Sequence, residues 1–456
     1  MLFNSYLFLF AFLPVVAAAF FVVRHRTCRL WLIICASFLF YGMSGVQHAT
    51  VLGLEVVWVY LIARSPRAVG DPIRLTLSLV PIFLALFYYK YIGFFIADVL
   101  MIKETDTAEA FSLFSDVVLP AGISFFTFQL AAFAIDRYRG DVDEPPSFSG
   151  FAAYISFFPQ LIAGPIVRYN EIRDALADIG SCSWDRERLS RAVGYISFGL
   201  ALKVLLADTL SDASAHYVAQ PGELAPLSAL YLVFSYSFQI YFDFYGYSLI
   251  AIGLGLIFGF RFPDNFMRPY ESLNIRDFWR RWHITLSYWI RDYLYRPLGG
   301  NQSYMRNILI VFAVCGLWHG AGWTFIVWGL YHGVLVIMYH ACRRLWDRMP
   351  VLLQQGLTFT LVSFGWVLFI FDFDGTLQFA RALLGGADEV TAPLPTLEMW
   401  LYLGISAAVC FFPRLEKIAE NVSGASPWLK TAGYASLLVL AILFLDRSQG
   451  FIYFRF

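Results

Sequence analysis

Charged residues are scarce in this sequence. Only 14 % of its 456 residues are charged, whereas 59 % are hydrophobic and 19 % are aromatic; an ordinary soluble domain carries about 25 % charged residues. Apolar stretches recur along the chain, near the ~20 residues that a membrane-spanning helix needs. This composition excludes a soluble domain and predicts an all-α, polytopic integral membrane protein. The net charge of zero says nothing about partners; membrane lipid is expected around the chain, and nucleic acid is not.

Paired cysteines, metal motifs and internal repeats are missing as well. The six cysteines stand alone, at positions 28, 35, 182, 315, 342 and 410, without a C-x-x-C pair. We interpret them as small buried hydrophobic residues rather than a disulfide framework or a zinc site. The sequence has no H-E-x-x-H motif and no carboxylate cluster, so no metal and no bound cofactor are expected. The lack of an internal repeat weighs against a transporter.

The first 23 residues predict a membrane span rather than a signal peptide. They lack a basic leading segment, and their apolar run is longer than that of a signal peptide. Arginines follow this run at positions 24, 26 and 29. Because positive charge marks the cytoplasmic side, the N-terminus is predicted to lie outside.

Charge placement extends this topology to the whole chain. We predict spans at 3–23, 30–45, 46–63, 75–97, 117–135, 192–207, 226–260, 351–371, 398–413 and 431–446. Basic segments that would all face the cytoplasm hold 27 of the 33 Lys and Arg residues; they are 24–29, 64–74, 136–149, 168–191, 261–306, 342–349 and 414–430. The loops 98–116, 208–225 and 372–398 are rich in acids and are predicted to face outside.

Three segments do not fit a simple crossing. Phe151–Val167 is apolar but interrupted by proline and glycine, which predicts a re-entrant segment. Pro226–Phe260 would be about 52 Å long as one helix, so we expect a break near Gly246. Asn307–Trp318 would be only about 18 Å long, which predicts a hairpin that turns inside the membrane and returns through 322–341.

A histidine lies at the turn of that hairpin, in the sequence GLWHGAGW. Ionisable residues at membrane depth are candidates for function, because burying them is costly. The flanking glycines permit close backbone approach, and Trp318 and Trp323 are expected to wall an apolar slot around His319. The alternative is a structural histidine bonded to a carbonyl group. His332 and His340, on the returning helix, are interpreted as structural.

A second unusual segment, residues 261–301, interleaves seven arginines with tryptophan and tyrosine. From Asp277 to Tyr295 the pattern predicts one amphipathic helix, capped by Asn274. Its arginines would either contact lipid phosphates or form a vestibule for a phosphate-rich cofactor. The candidates for the second function are Arg280, Arg281 and Arg291. His283 lies in the same segment and is expected to approach His319 from the cytoplasmic side, in a pocket that includes Trp282 and Asp292.

Several motifs resemble one known family. They include GISFFTFQLAAFAIDRYRG, SFFPQLIAGPIVRY, SFQIYFDFYGYS, IGLGLIFGFRFPDNF, DFWRRWHITLSYWIRDYLYRPLGGN, GLWHGAGWTFIVWGLYHG and the final FIYFRF. On these motifs the chain resembles the membrane-bound O-acyltransferases, and within them the bacterial alginate O-acetyltransferase membrane subunit and its relatives. The motifs between Gly122 and Gly333 carry the likeness, whereas residues 350–446 match mainly in hydropathy.

The resemblance implies a function and assigns residues to it. The family's essential histidine falls on His319, and its second polar position falls on His283. It implies a single acyltransferase domain over residues 1–456, with a core at about 117–341 and helices around a central tunnel. The donor would be cytosolic acetyl-CoA and the acceptor an extracytoplasmic polysaccharide. A periplasmic esterase-like protein would complete the transfer, and the chain would lie in the bacterial inner membrane.

Three positions depart from the family pattern. Tyr245 stands where a small residue is expected, Leu249 where an acid is expected, and Gln302 where an arginine is usual. They put a role for the missing acid in doubt and are compatible with a different acceptor. For the acetyl transfer that the resemblance implies, His319 is expected to act as a general base, and His283 to position the thioester or polarise its carbonyl. A transporter or channel, and an inactive scaffold of a polysaccharide-modifying complex, remain alternatives.

Overall fold

The computed structural model describes residues 1–101, 117–387, 389–411 and 427–452. Within these ranges every regular element is a helix. The predicted outer loop 98–116, the basic segment 414–430 and the last four residues of FIYFRF fall mostly or wholly outside them.

The helices follow the apolar segments of the sequence. They are α1 (Phe8–Val22), α2 (Arg26–Gly42), α3 (Val46–Ala63), α4 (Pro72–Val99), α5 (Ile123–Arg139), α6 (Phe148–Ser156), α7 (Tyr169–Ala177), α8 (Arg186–Ala219), α9 (Pro226–Ile257), α10 (Ile275–Arg281), α11 (Ile284–Ile290), α12 (Tyr304–His319), α13 (Trp323–Trp346), α14 (Val351–Ile370), α15 (Phe373–Leu383), α16 (Leu397–Phe411) and α17 (Pro427–Leu443). Among the described residues, six are long and apolar enough to cross a membrane, namely α3, α4, α8, α9, α13 and α14. The all-α polytopic class is therefore confirmed.

Contacts group the chain into two compact units. The first consists of Met1–Ile196 and Ile250–Pro263, and the second of Ser197–Leu249 and Asp264–Phe456. The single domain with a core at 117–341 stays a prediction.

In the first unit, two arginines from the predicted cytoplasmic segments are buried. Arg29 donates to the carbonyl oxygens of Ile179 and Cys182, at 2.6 and 2.7 Å. Arg137 donates to the carbonyl oxygens of Ala63 and Asp143, at 3.1 and 2.7 Å. These guanidinium groups satisfy carbonyl groups at chain turns and helix ends, which would otherwise lack partners away from water.

The predicted re-entrant segment is an interrupted helix. Helix α6 ends at Ser156, Phe157 adopts a non-helical conformation, and a short helix follows over Phe158–Leu161. All the residues from Phe151 to Val167 are buried. Irregular backbone of this kind is tolerated in a membrane protein where protein surrounds it.

The predicted break near Gly246 is wrong, because α9 runs as one helix of 32 residues from Pro226 to Ile257. Gly246 instead permits close packing between helices. A Cβ atom on it would lie 2.7 Å from the carbonyl oxygen of Gly199 in α8. The glycine therefore serves the contact with α8 and does not interrupt α9.

The predicted outer loop 208–225 is also largely helical. Helix α8 continues to Ala219, through a π-helical stretch at Leu202–Ala207. Asp208, which was counted as a loop acid, is buried and pairs with Lys203. Once its charge is paired, the carboxylate no longer requires exposure to water.

Candidate active site

The second unit contains the predicted hairpin, formed by α12 and α13. A Cβ atom on Gly316 would lie 2.1 Å from the carbonyl oxygen of Phe325, and one on Gly329 would lie 2.0 Å from that of Phe312. The two helix backbones therefore touch, and glycine is required at both positions. This contact fixes the end of α12, where His319 is the last helical residue.

His319 is buried, with 3 % of its surface exposed, and aromatic rings surround its imidazole. The ring centroids of Trp318, Trp328 and Phe369 lie 4.9, 5.2 and 5.3 Å from that of His319. Trp323, which was expected to wall this slot, is 45 % exposed. Trp318 was predicted beside His319, whereas Trp328 and Phe369 were not. Trp328 lies on α13 and Phe369 on α14.

The predicted amphipathic helix Asp277–Tyr295 is interrupted, and His283 lies at the interruption. Helix α10 ends at Arg281 and α11 begins at Ile284. His283 has a φ of +44°, in the left-handed region, which is costly for a residue with a Cβ atom. The cap by Asn274 is confirmed, since its side chain accepts from the Asp277 amide at 2.8 Å.

Hydrogen bonds to one amide hold the strained turn at His283. The Oδ1 atom of Asn265 lies 3.2 Å from Nδ1 of His283. It also accepts from the Thr285 hydroxyl at 2.9 Å and from the Thr285 amide at 3.3 Å. The Ile284 amide donates to the Asn265 carbonyl at 3.0 Å. Asn265 was not predicted as a site residue, although it lies in the motif IGLGLIFGFRFPDNF.

One tryptophan contacts both candidate histidines. The ring centroid of Trp318 is 5.9 Å from that of His283 and 4.9 Å from that of His319. His283 is also buried, with 1 % exposed, and Phe244 packs against it at 4.7 Å between ring centroids. The structure therefore brings the two predicted histidines into contact with one indole, in an apolar environment.

The predicted cofactor arginines do not form one cluster of unpaired charges. Arg281 pairs with Asp277 at 3.1 Å. Arg291 donates through both Nε and Nη2 to the carboxylate of Asp292, at 2.8 Å each, and Arg296 adds a third contact at 2.9 Å. Asp292 thus neutralises charge next to the site and is part of an ion network. Arg280 is exposed.

Trp282 and His332 belong to an aromatic cluster next to the histidine pair. Trp282 is buried and lies 5.0 Å from Trp366, between ring centroids. His332 is fully buried, with Trp328 at 4.9 Å and Trp279 at 5.1 Å. Because Trp328 also contacts His319, this cluster packs against the aromatic rings that surround His319. His340, by contrast, is exposed.

The three positions that depart from the family pattern lie in different environments. Tyr245 stacks on Tyr241, with ring centroids 5.4 Å apart and an interplanar angle of 7°. Leu249 is buried, with 4 % exposed, whereas Gln302 is exposed. Tyr245 and Leu249 are accommodated in the packing of α9.

A buried ion triad in the same unit was not predicted. Nζ of Lys203 lies 2.7 Å from Asp208 and 2.5 Å from Asp243, and all three side chains are at most 5 % exposed. The two carboxylates also accept hydrogen bonds from residues near the C-terminus of the chain. Asp208 accepts from the Ser448 hydroxyl at 2.7 Å, and Asp243 accepts from the Ile452 amide at 2.8 Å. Lys203 lies within an apolar run in the sequence, and that isolated charge was the available signal.

Candidate metal ligands are not grouped in the part of the chain that the structure describes. No set of three or more His, Cys, Asp or Glu residues there has a suitable arrangement. All six cysteines are free thiols, but only Cys315 and Cys410 are buried. The interpretation of all six as buried hydrophobic residues is therefore wrong for the other four.

Comparisons with known proteins identify the family. The model of MBOAT, the membrane-bound O-acyltransferase family, matches residues 141–371. A peptidoglycan O-acetyltransferase of Helicobacter pylori is 33 % identical over 100 % of this chain and 98 % of its own length. A protein of Pseudomonas aeruginosa named probable alginate O-acetylase AlgI is 38 % identical over 81 % of this chain and 72 % of its own. A teichoic acid D-alanyltransferase of Bacillus subtilis is 29 % identical over 54 % of this chain and 68 % of its own.

The match covers the elements that carry the site, from the segment before α6 to the end of α14. It includes both histidines, Trp318 and Asn265. With its membrane-spanning helices and this match, the chain belongs to the membrane-bound O-acyltransferase family and is a multi-pass acyltransferase.

Proposed function

We propose that this protein takes an acetyl group from acetyl-CoA in the cytoplasm and delivers it for O-acetylation of a polysaccharide outside the inner membrane. The observation that carries the proposal is the pair of buried imidazoles that both contact Trp318, within a chain related to polysaccharide O-acetylases. A buried, water-poor site suits transfer from a thioester, which water would otherwise hydrolyse.

His319 is the proposed general base. Transfer to a hydroxyl group requires a base that removes its proton as the oxygen attacks the thioester carbonyl. A buried imidazole rests in its neutral form, which can accept that proton. The same proton then passes to the departing thiolate, so the histidine is regenerated. Trp328 and Phe369 hold the ring in place, since both pack directly on it.

Phosphate groups of the donor are proposed to stay at the cytoplasmic surface, near the exposed Arg280. Coenzyme A carries several negative charges and cannot enter the hydrocarbon, whereas its pantetheine arm is thin and uncharged. Arg281 and Arg291 are already paired with carboxylates. Arg280 is therefore the strongest of the three candidates for a phosphate contact.

The acceptor and the partner belong to the proposal as well. The related proteins are named for peptidoglycan, alginate and teichoic acid, so the acceptor class is an extracytoplasmic glycan or polyol polymer. A periplasmic esterase-like protein is proposed to complete the transfer.

A purified-protein assay tests this function. Free thiol released from acetyl-CoA would be followed in the presence of alginate oligomers or soluble peptidoglycan fragments, and acetylated product would be identified by mass spectrometry. We expect thiol release that depends on an acceptor and on His319. Because transfer needs the periplasmic partner in this proposal, the assay is repeated with that partner co-purified. Failure to consume acetyl-CoA in both preparations would favour a transporter or a scaffold.

A further inference from the structure

Asn265 offers a single oxygen to three donors. Oδ1 of Asn265 lies 2.9 Å from the Thr285 hydroxyl, 3.3 Å from the Thr285 amide nitrogen and 3.2 Å from Nδ1 of His283. Its Nδ2 donates to the Ser248 hydroxyl at 3.3 Å. The residue is buried, with 1 % of its surface exposed.

The orientation of this amide follows from its partners. A backbone N–H can only donate, so the atom that faces the Thr285 amide must be the oxygen. Nδ1 of His283 lies within hydrogen-bond distance of that same oxygen. Because an amide oxygen can only accept, Nδ1 must carry a hydrogen and donate it to Asn265.

The hydrogen on Nδ1 determines the chemistry of the other ring nitrogen. In a neutral imidazole only one nitrogen carries hydrogen, so Nε2 holds a lone pair and accepts. His283 lies outside the membrane-spanning helices, and burial lowers the pKa of its imidazole, which favours the neutral ring. In this form Nε2 cannot donate to a carbonyl group.

We propose that Asn265 is a positioning residue that holds His283 with its lone pair on Nε2, where it accepts a hydrogen bond from an amide N–H of a pantetheine arm. This inference rests on the proposed function, and it replaces the expectation that His283 polarises the thioester carbonyl. The arm is common to coenzyme A and to acyl carrier proteins.

The groups packed around His283 support a neutral ring. The aromatic rings of Phe244, Phe266 and Trp318 contact the imidazole. The titratable or charged groups within about one turn of these contacts are Tyr241, Asp243, Tyr245 and Tyr247 on α9, Asp264, Arg268 and Tyr270 around Asn265, Arg280 and Arg281 on α10, and Cys315 and His319 on α12. Arg268 is paired with Glu271. Asp243 is paired with Lys203, Arg281 is paired with Asp277, and Asp264 is exposed. A new negative charge at position 265 would therefore be the dominant electrostatic change.

Kinetics of two variants test the proposal. Asn265→Asp keeps an acceptor for Thr285 but places a carboxylate against Nδ1, which favours imidazolium. We expect the acid limb of the kcat/KM profile to move to higher pH by at least one unit, with activity returning as the pH rises. Asn265→Leu removes the acceptor, and the proposal expects KM for the thioester to rise about tenfold or more with a smaller change in kcat, because the contact is uniform binding.

Two controls distinguish the contact with the pantetheine arm from a general loss of structure and from binding of the nucleotide part of acetyl-CoA. Thr285→Val removes another bond to the same oxygen, and the acid limb should not move. Acetyl-CoA and acetylpantetheine should show the same relative rise in KM for Asn265→Leu, since the contact lies on the arm that they share. A rise confined to acetyl-CoA, or a fall in kcat alone, would overturn the arm contact.

A spectroscopic measurement works without turnover. In wild-type protein labelled with ¹⁵N-histidine, the signals of His283 are assigned by their loss in His283→Gln. We expect a protonated Nδ1 and an unprotonated Nε2, and loss of this preference in Asn265→Leu. The opposite tautomer in the wild type would refute the inference even if acetyl transfer were observed. The expected tautomer without any thioester turnover would refute the proposed function and the arm contact, and would leave the role of Asn265 in place.

Discussion

At the scale of single residues, the proposed chemistry depends first on His319. Its ring is buried among Trp318, Trp328 and Phe369. The neighbouring rings remain in contact with one another, since Trp328 lies 4.6 Å from Phe369 between ring centroids.

At this scale we predict that His319→Ala lowers acetyl transfer by at least about 10²-fold, the contribution expected of a general base. The variant should keep wild-type expression and elution volume in detergent. The measurement is the initial rate of acetyl transfer to acceptor. His340→Ala is the matched control, because this histidine is exposed on the same hairpin and should retain its rate. Near-normal transfer by His319→Ala would remove the residue from the chemistry.

A second residue-scale prediction concerns Leu249, where the family pattern has an acid. Leu249→Asp should not raise activity and should lower thermal stability in detergent. Leu249 is 4 % exposed, and burying an unpaired carboxylate costs several kcal/mol. Leu249→Asn, of the same size and without charge, should be less destabilising. A clear gain of acetylation in the aspartate variant would show that the pocket still accepts an acid.

At the scale of elements, the ion triad joins α8, α9 and the chain near its C-terminus. Lys203 contributes one cation to two buried carboxylates, and the same carboxylates bind the segment Ser448–Ile452. Loss of the cation would leave both acids uncompensated in a dry environment, which is strongly unfavourable.

We therefore predict that Lys203→Met destabilises the protein by about 3–5 kcal/mol and releases the segment 445–452. Thermal unfolding in detergent and limited proteolysis near the C-terminus measure the two effects. Arg343→Met cuts an exposed pair with Asp347 and should cost less than about 1 kcal/mol. Equal stability of the two variants would show that the triad does not hold the segment.

A further prediction at this scale concerns donor binding by the arginines of α10. Substituting both Arg280 and Arg281 by Gln should raise KM for acetyl-CoA with little change in kcat, because the contact is made equally in ground and transition states. Raising the salt concentration should reduce the difference, since exposed charges are screened. Initial rates at two ionic strengths measure it, with Arg280→Gln alone expected to account for most of the effect. An unchanged KM in the double variant would leave these arginines as lipid anchors.

At the scale of the whole molecule, the proposed topology follows from the placement of charge. The basic segments that would face the cytoplasm hold 27 of the 33 Lys and Arg residues. The burial of Arg29 and Arg137 shows that some of these charges also serve the fold. The bias therefore reflects packing as well as orientation, and labelling tests the topology directly.

Labelling with a membrane-impermeant thiol reagent tests the topology in intact cells. In a background without native cysteines, Asp106→Cys should react and Arg186→Cys should react only after the cells are opened. Position 106 lies in a loop predicted outside, and position 186 in a segment predicted in the cytoplasm. Labelling at 186 but not at 106 in intact cells would reverse the orientation.

The sequence by itself determined that the long apolar runs form helices and that His319, the proposed base, ends one of them. The long apolar runs could satisfy their backbone groups in a membrane only as helices, and the short run before His319 predicted the hairpin of α12 and α13. The motifs of the family pointed to His283 and His319, and the asparagine cap of α10 followed from local residue preference.

Only the tertiary structure decided how these parts act together. Helical periodicity predicted one continuous helix through Trp282 and His283. In the structure His283 adopts a left-handed conformation, and its side chain lies within hydrogen-bond distance of Asn265, which is outside that helix. The same periodic pattern could not show that Gly246 fits against α8, or that Lys203 meets Asp243 from 40 residues away. Local preferences act over one or two helical turns, but the charges and hydrogen bonds of this site find their partners only after the helices have packed.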